Sequence, residues 1–171
     1  MLMELNFDNI PNARNISSFF HENLSFDPEH KYSVPYAWGV VGIIYNSKYV
    51  DEADVTGWDL LWNEKYEDKI LMFDNSRDAF GIAQYLLGYD VNTPDKAQLQ
   101  ACADKLAQQR PLVQQYVMDQ IYAAMQDEEA YIAPYYAGDC MAMIANNEDL
   151  QFYLPETEFD FEKYDYVIDA I

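Results

Sequence analysis

A chain of 171 residues, half of them hydrophobic, has the length of one ordinary globular domain and enough apolar content to fill its core, which excludes global disorder. Its 30 aspartates and glutamates against 10 lysines and arginines leave a formal charge of −20, with the cations scattered singly. Nucleic acid is excluded as a partner, since phosphate binding needs clustered cations that displace counterions, and what stays attractive is a cationic partner or simple solubility through self-repulsion.

Along the chain, residues 1–30 read as polar and loop-like around one short helix at residues 17–23, with turn punctuation at Pro11 and Pro28. Residues 32–36 and 38–46 read as two extended segments rich in β-branched and aromatic residues. Gly39 and Gly42 in the second mark a bulge or a close backbone approach. Thr56 is expected to cap a short helix over residues 57–62, and residues 69–73 form a strand. In residues 76–87, Ala79, Ile82, Ala83 and Leu86 repeat at helical spacing, and Gly88 closes the helix. Thr93 and Pro94 start another helix, which runs to Gln109 before Pro111. Beyond it, residues 118–126 are helical and residues 130–133 a short strand. Residues 138–145 form a helix with Met141 and Ile144 facing the core, and residues 151–154 and 166–171 form the last two strands. Strands alternating with helices of this length predict an α/β domain, a mixed sheet with helices on both faces.

Several chemistries find no footing. Cys102 and Cys140 are too few for a disulfide framework, and each lies in an apolar helical pattern that suits a buried free thiol, although a single bridge between them stays open. His21 and His30 match no metal-ligand spacing. The acidic run from Asp51 fails as a calcium loop, with Ala53 in its third position and Trp62 in its twelfth. No cofactor or metal is expected. The first five residues carry no basic, apolar leader, and the longest apolar stretch, residues 40–45, is too short to span a bilayer.

The specific signal is a series of spaced motifs. Gly57-Trp58-Asp59-Leu60-Leu61-Trp62 is followed by Tyr66, then Lys69-Ile70-Leu71-Met72-Phe73 and Asp74-Asn75-Ser76-Arg77-Asp78. Upstream lies Tyr32-Ser33-Val34-Pro35-Tyr36-Ala37-Trp38-Gly39; downstream lie Leu87-Gly88-Tyr89 with Asn92-Thr93, Tyr136-Ala137-Gly138-Asp139 and Leu154-Pro155-Glu156. In order and without large gaps, these resemble the periplasmic polyamine-binding proteins of ABC transporters, the spermidine/putrescine-binding family. The resemblance implies two α/β lobes clamping a polyamine by hinge closure, with this chain as the second lobe over residues 1–171 and the first lobe outside it. It further implies ABC permease subunits as partners, an extracytoplasmic setting (periplasm or outer face of the cell membrane, as a lipoprotein in some members), and no enzymatic activity.

Carried over position by position, the ligand contacts fall on Asn75, Asp78, Tyr136, Asp139 and Asp169. Carboxylates suit an ammonium stripped of water, and aromatic rings give its methylene spacers a wall with cation–π attraction. Each position also has a plainer role. Asp78 is a first-turn acid favoured by the helix dipole, Tyr136 a core or rim aromatic, and Asp139 the N-cap of the next helix. Asn75 replaces the acid of the spermidine binders and forfeits its charge. Asp169 is a poor strand residue in an apolar segment, which hints at a reason for its presence. The aromatic that should precede it falls on Val167, or on Tyr166 if the stretch from Phe159 to Tyr166 shifts the register. Trp58 and Trp62, four apart on one helix, read as core. The competing readings are a binding protein for another small solute and a hydrolase using an acid pair such as Asp78 and Asp139, although no nucleophile, histidine base or metal accompanies that pair.

Overall fold

The computed structural model describes residues 2–22, 26–37 and 39–155. They fall into two compact units that divide between Val40 and Val41. Trp38, Val167, Asp169 and the expected strand at residues 166–171 lie outside the described residues.

The first unit has 3₁₀ turns at Phe7–Asn9 and Pro11–Asn15 and one short helix, α1 (Ser18–Glu22). Its loop is organised by Asp27, which is 5% exposed. That carboxylate accepts hydrogen bonds from the backbone N–H groups of Lys31, Tyr32 and Ser33 and from the Ser33 hydroxyl, at 2.8–3.0 Å. The Leu5 N–H donates to the Lys31 carbonyl at 2.7 Å, tying the leading segment to this loop. The stretch expected to be extended at residues 32–36 joins no strand. Its donors are turned inward onto Asp27 instead.

The second unit is built on a five-stranded sheet. In chain order its elements are β1 (Val41–Asn46), β2 (Ile70–Phe73), α2 (Ser76–Leu87), α3 (Lys96–Gln109), β3 (Val113–Val117), α4 (Gln120–Gln126), β4 (Ile132–Tyr136), α5 (Ala137–Asn146) and β5 (Leu150–Tyr153). The strand order is β3-β2-β4-β1-β5. Strand β2 is parallel to β3 and β4, while β1 is antiparallel to both β4 and β5. Four strands therefore end at one edge of the sheet, and β1 alone runs against them. All four residues of β2 are buried, as in a strand covered on both faces. Ile43, Ile44, Leu71, Met72, Phe73, Ile132 and Ile121 form the centre of the core. Each such side chain contributes about 1.5–3 kcal/mol by leaving water.

Local chemistry sets the element ends. Helix α2 starts on Asn75, whose side chain accepts from the Arg77 N–H at 2.9 Å, and ends at Gly88, in the left-handed region with φ 70°. Helix α3 begins two residues later than its Thr-Pro suggests, because Asp95 is the cap and accepts from the Ala97 N–H at 2.8 Å. Thr56 caps nothing: the 3₁₀ turn Trp58–Trp62 starts from Gly57 without a side-chain cap. Trp58 is buried, and the Trp62 indole N–H donates to the Lys105 carbonyl at 2.9 Å, so both tryptophans pack the interior as their spacing suggests. Of the expected core residues on α5, Ile144 is half-buried and packs against the core as expected, but Met141 is 56% exposed; Cys140 and Met143 are the fully buried ones. Both cysteines are buried and free. At Gly42 the close approach is real: a Cβ there would stand 2.4 Å from the Phe152 ring and 2.7 Å from the Tyr153 carbonyl oxygen. Gly39 has open space around it.

Candidate functional site

Parallel strands deliver the residues that follow them to a common edge, where α/β proteins gather ligand loops. Here β2 ends at Phe73 and runs into Asp74 and Asn75, with Asp78 in the first turn of α2. Next to it, β4 ends at Tyr136 and leads into α5, whose first turn carries Asp139. Two loops far apart in sequence thus meet at the ends of neighbouring strands. The Tyr136 hydroxyl donates to Asp78 Oδ2 at 3.3 Å, closing the distance between them. The half-buried Tyr136 ring lies 5.7 Å from Phe73 and 5.7 Å from Tyr135, and it offers a flat apolar wall beside a carboxylate.

Of the five residues expected at the site, Asn75, Asp78, Tyr136 and Asp139 come together at this edge, while Asp169 lies outside the described residues. Asp139 is exposed and is not the cap of α5, since the N-cap position is Tyr136 and no side chain caps that helix. Its plainer role therefore falls away. Asn75 is exposed, but its oxygen is engaged in capping α2, which leaves mainly its amide N–H groups to face a solute.

Two further carboxylates stand at the same edge without a place among the expected ligand contacts. Asp74 directly follows β2 and donates its N–H to the Val117 carbonyl at 3.3 Å, joining the ends of β2 and β3. Asp119 follows β3. Burial first, and then the charges of Asp139 and Asp119, push the Tyr135 hydroxyl above its ordinary pKa of 10. Burial likewise pushes the Cys140 thiol up to about 12, with Asp139 adding to the effect. The fields of these carboxylates converge on the end of β4. Arg77 is the cation within the α2 first turn. At the opposite edge the charges are mixed. There Lys48 pairs with Glu128 at 3.0 Å, and Lys69 lies over the Tyr131 ring at 4.8 Å.

Chemically, the carboxyl edge presents acceptors and aromatic faces, a combination that holds an organic ammonium. A close ion pair is worth about 4 kcal/mol gross at an effective dielectric near 20, before desolvation. A ring beneath the cation adds about 0.5–2 kcal/mol. Among the described residues no group of three histidine, cysteine or acidic side chains could hold a metal ion, and no helix is long and apolar enough to cross a membrane.

Solved structures share this architecture. The spermidine/putrescine ABC transporter substrate-binding protein PotD of Streptococcus pneumoniae superposes with a TM-score of 0.75 at 36% identity, over 91% of this chain and 47% of that one. The PotD lipoprotein of Treponema pallidum reaches 0.82 at 26% identity, over 91% and 49%. The fold is that of a periplasmic binding protein of this type. At the level of sequence, a spermidine/putrescine-binding periplasmic protein of Salmonella typhimurium is 37% identical over 97 residues, which cover 57% of this chain and 28% of that protein. The chain belongs to the bacterial extracellular solute-binding protein family, whose model matches residues 3–157. It spans about half the length of its solved relatives.

Proposed function

We propose that this chain is the cation-recognising lobe of an extracytoplasmic solute-binding protein that serves an ABC importer, and that its solute is a polyamine such as spermidine or putrescine. The observation that carries the reading is the Tyr136–Asp78 pair at the ends of two adjacent parallel strands, in an edge also lined by Asp74, Asp119 and Asp139. The names of the relatives support the same solute class. In this reading the carboxylates take up the ammonium groups, Tyr136 backs the methylene chain, and Asp169 completes the set. A second lobe outside these residues closes over the solute and excludes water, and permease subunits receive it. The function is binding and release, with no bond made or broken, so the chain is read as no enzyme.

Asn75 favours one variant of this reading. A neutral side chain whose oxygen is already a helix cap gives up one charge–charge contact, which suits a different small solute from that of binders with an acid there. Nuclear magnetic resonance titration of the chain at low salt separates the possibilities. Spermidine and putrescine should shift the amides of residues 73–78 and 135–139, whereas a neutral sugar and a dicarboxylate should leave them in place. Shifts at these amides with the sugar or the dicarboxylate, and none with either polyamine, would overturn the proposal.

A further inference from the structure

The hydrogen bond between Tyr136 and Asp78 runs in one direction, and that direction bears on the solute. A phenol carries one O–H donor, and Tyr136 gives it to Asp78 Oδ2 at 3.3 Å, reaching from the end of β4 to the first turn of α2. With that proton committed, any other group that meets the Tyr136 oxygen must bring a hydrogen of its own. An ionised carboxylate is likewise an acceptor only. The two oxygens therefore act as a pair of acceptors, close enough that a single nitrogen about 2.9 Å from each can bridge them. The ring that carries the hydroxyl is fixed from several sides. Tyr136 pairs with Val41 in the sheet, and its ring lies 5.7 Å from those of Phe73 and Tyr135. Tyr136 and Asp78 are both half-buried, where a hydrogen bond is weakened less by water than on an open surface.

We propose that the Tyr136 hydroxyl is a specificity-determining group, which confines the end of the solute to an ammonium with N–H donors, a primary ammonium above all. An aromatic face alone does not make that distinction. It attracts any cation, and cages of such rings hold quaternary ammonium ions. The Tyr136 ring by itself would thus accept an N-methylated terminus. The acceptor pair sets the preference the other way. A trimethylammonium offers no hydrogen to either oxygen, and its methyl groups hold the charge farther from both. The inference rests on the cation reading given above, and it adds which atom reads the N–H groups and which class of amine is turned away.

The test uses two probes that share one charge and one butyl chain, n-butylammonium with three N–H donors and n-butyltrimethylammonium with none. Each is titrated at low salt into the 171-residue chain and its Y136F and D78N variants, and nuclear magnetic resonance follows the amides of residues 73–78 and 135–139. The wild type should prefer n-butylammonium about three- to tenfold, the scale of one hydrogen bond. Y136F keeps the ring against Phe73 and Tyr135 and removes only the hydroxyl. It should weaken n-butylammonium by about that factor, leave n-butyltrimethylammonium within about twofold, and so abolish the preference. If Y136F binds n-butylammonium as tightly as the wild type or more tightly, the hydroxyl merely competes for Asp78 and the inference is wrong. It is equally wrong if Y136F weakens both probes alike, or if the wild type does not distinguish them; in each of these cases weakening of both probes by D78N still upholds the cation reading. If neither probe perturbs the wild-type chain, or D78N leaves both unchanged, the cation reading itself fails and takes this inference with it.

Discussion

Replacing Gly42 by alanine probes how β5 is held against the sheet that positions the site. The added Cβ would lie 2.4 Å and 2.7 Å from two carbons of the Phe152 ring and 2.7 Å from the Tyr153 carbonyl oxygen. Phe152 can rotate away, but the Tyr153 oxygen belongs to the β5 backbone, which is paired to β1 through Ile43 and Asn46. Relief therefore requires the two strands to part by several tenths of an ångström. Overpacking of this kind costs about 1–3 kcal/mol, and the reduced freedom of the unfolded chain returns about 0.4–1 kcal/mol. The expected net loss is about 1–2 kcal/mol, a fall in melting temperature of roughly 2–8 °C for a chain of this size. Urea denaturation followed by tryptophan fluorescence should show a lower midpoint with an unchanged slope. In an F152A background the same substitution should cost less, because the ring part of the clash is gone while the carbonyl part remains. A G42A chain as stable as the wild type, or more stable, would refute the close approach of β5 to β1 at this position.

Two other predictions concern ionisable groups. Cys102 and Cys140 are both 0% exposed, and burial raises both thiols, Cys140 to about 12; at pH 8 a disulfide reagent should label neither in the folded chain and both in denaturant. Fast labelling of either under native conditions would contradict the packing of α3 and α5. For Asp27, burial raises the pKa, but the donors Tyr32 N–H, Ser33 hydroxyl, Lys31 N–H and Ser33 N–H outweigh it, so the carboxyl titrates below its ordinary 3.8. A depressed acid contributes its stabilisation above the unfolded value and loses it as pH falls through the folded value. The Tyr32 and Ser33 amide resonances should therefore shift with a titration midpoint below 3.8. A midpoint at or above that value would contradict the loop geometry.

Much of the site was legible because motif and physical chemistry point to the same residues. Asn75, Asp78, Tyr136 and Asp139 all follow strands that show as apolar runs, and parallel pairing brings their loops together. Asp119 stayed hidden for a specific reason. Its strand, Val113-Gln114-Gln115-Tyr116-Val117, lies at the edge of the sheet with its three central residues exposed, so it lacks the apolar signature of the buried strands. Thr56 and Thr93 misled as caps because glycine and a later aspartate hold those positions. Met141 lies at a helical spacing that matches the core face of α5 only if that helix is rotated by about one residue, which Cys140 and Met143 prevent by filling the interior.

Calorimetry of the 171-residue chain with putrescine and spermidine, at low and at moderate salt, tests the central claim most directly. A micromolar complex is worth about −8.2 kcal/mol, and with one wall of the site the ammonium groups keep most of their water, so each ion pair falls toward about 0–1 kcal/mol. The account predicts weak binding, with a dissociation constant near or above about 1 mM, that fades further as salt screens charges beyond about 10 Å at 0.1 M. Micromolar affinity that survives moderate salt would show the site to be complete within these residues. No heat with either polyamine, together with binding of a neutral or anionic solute at the same edge, would contradict the cationic reading altogether.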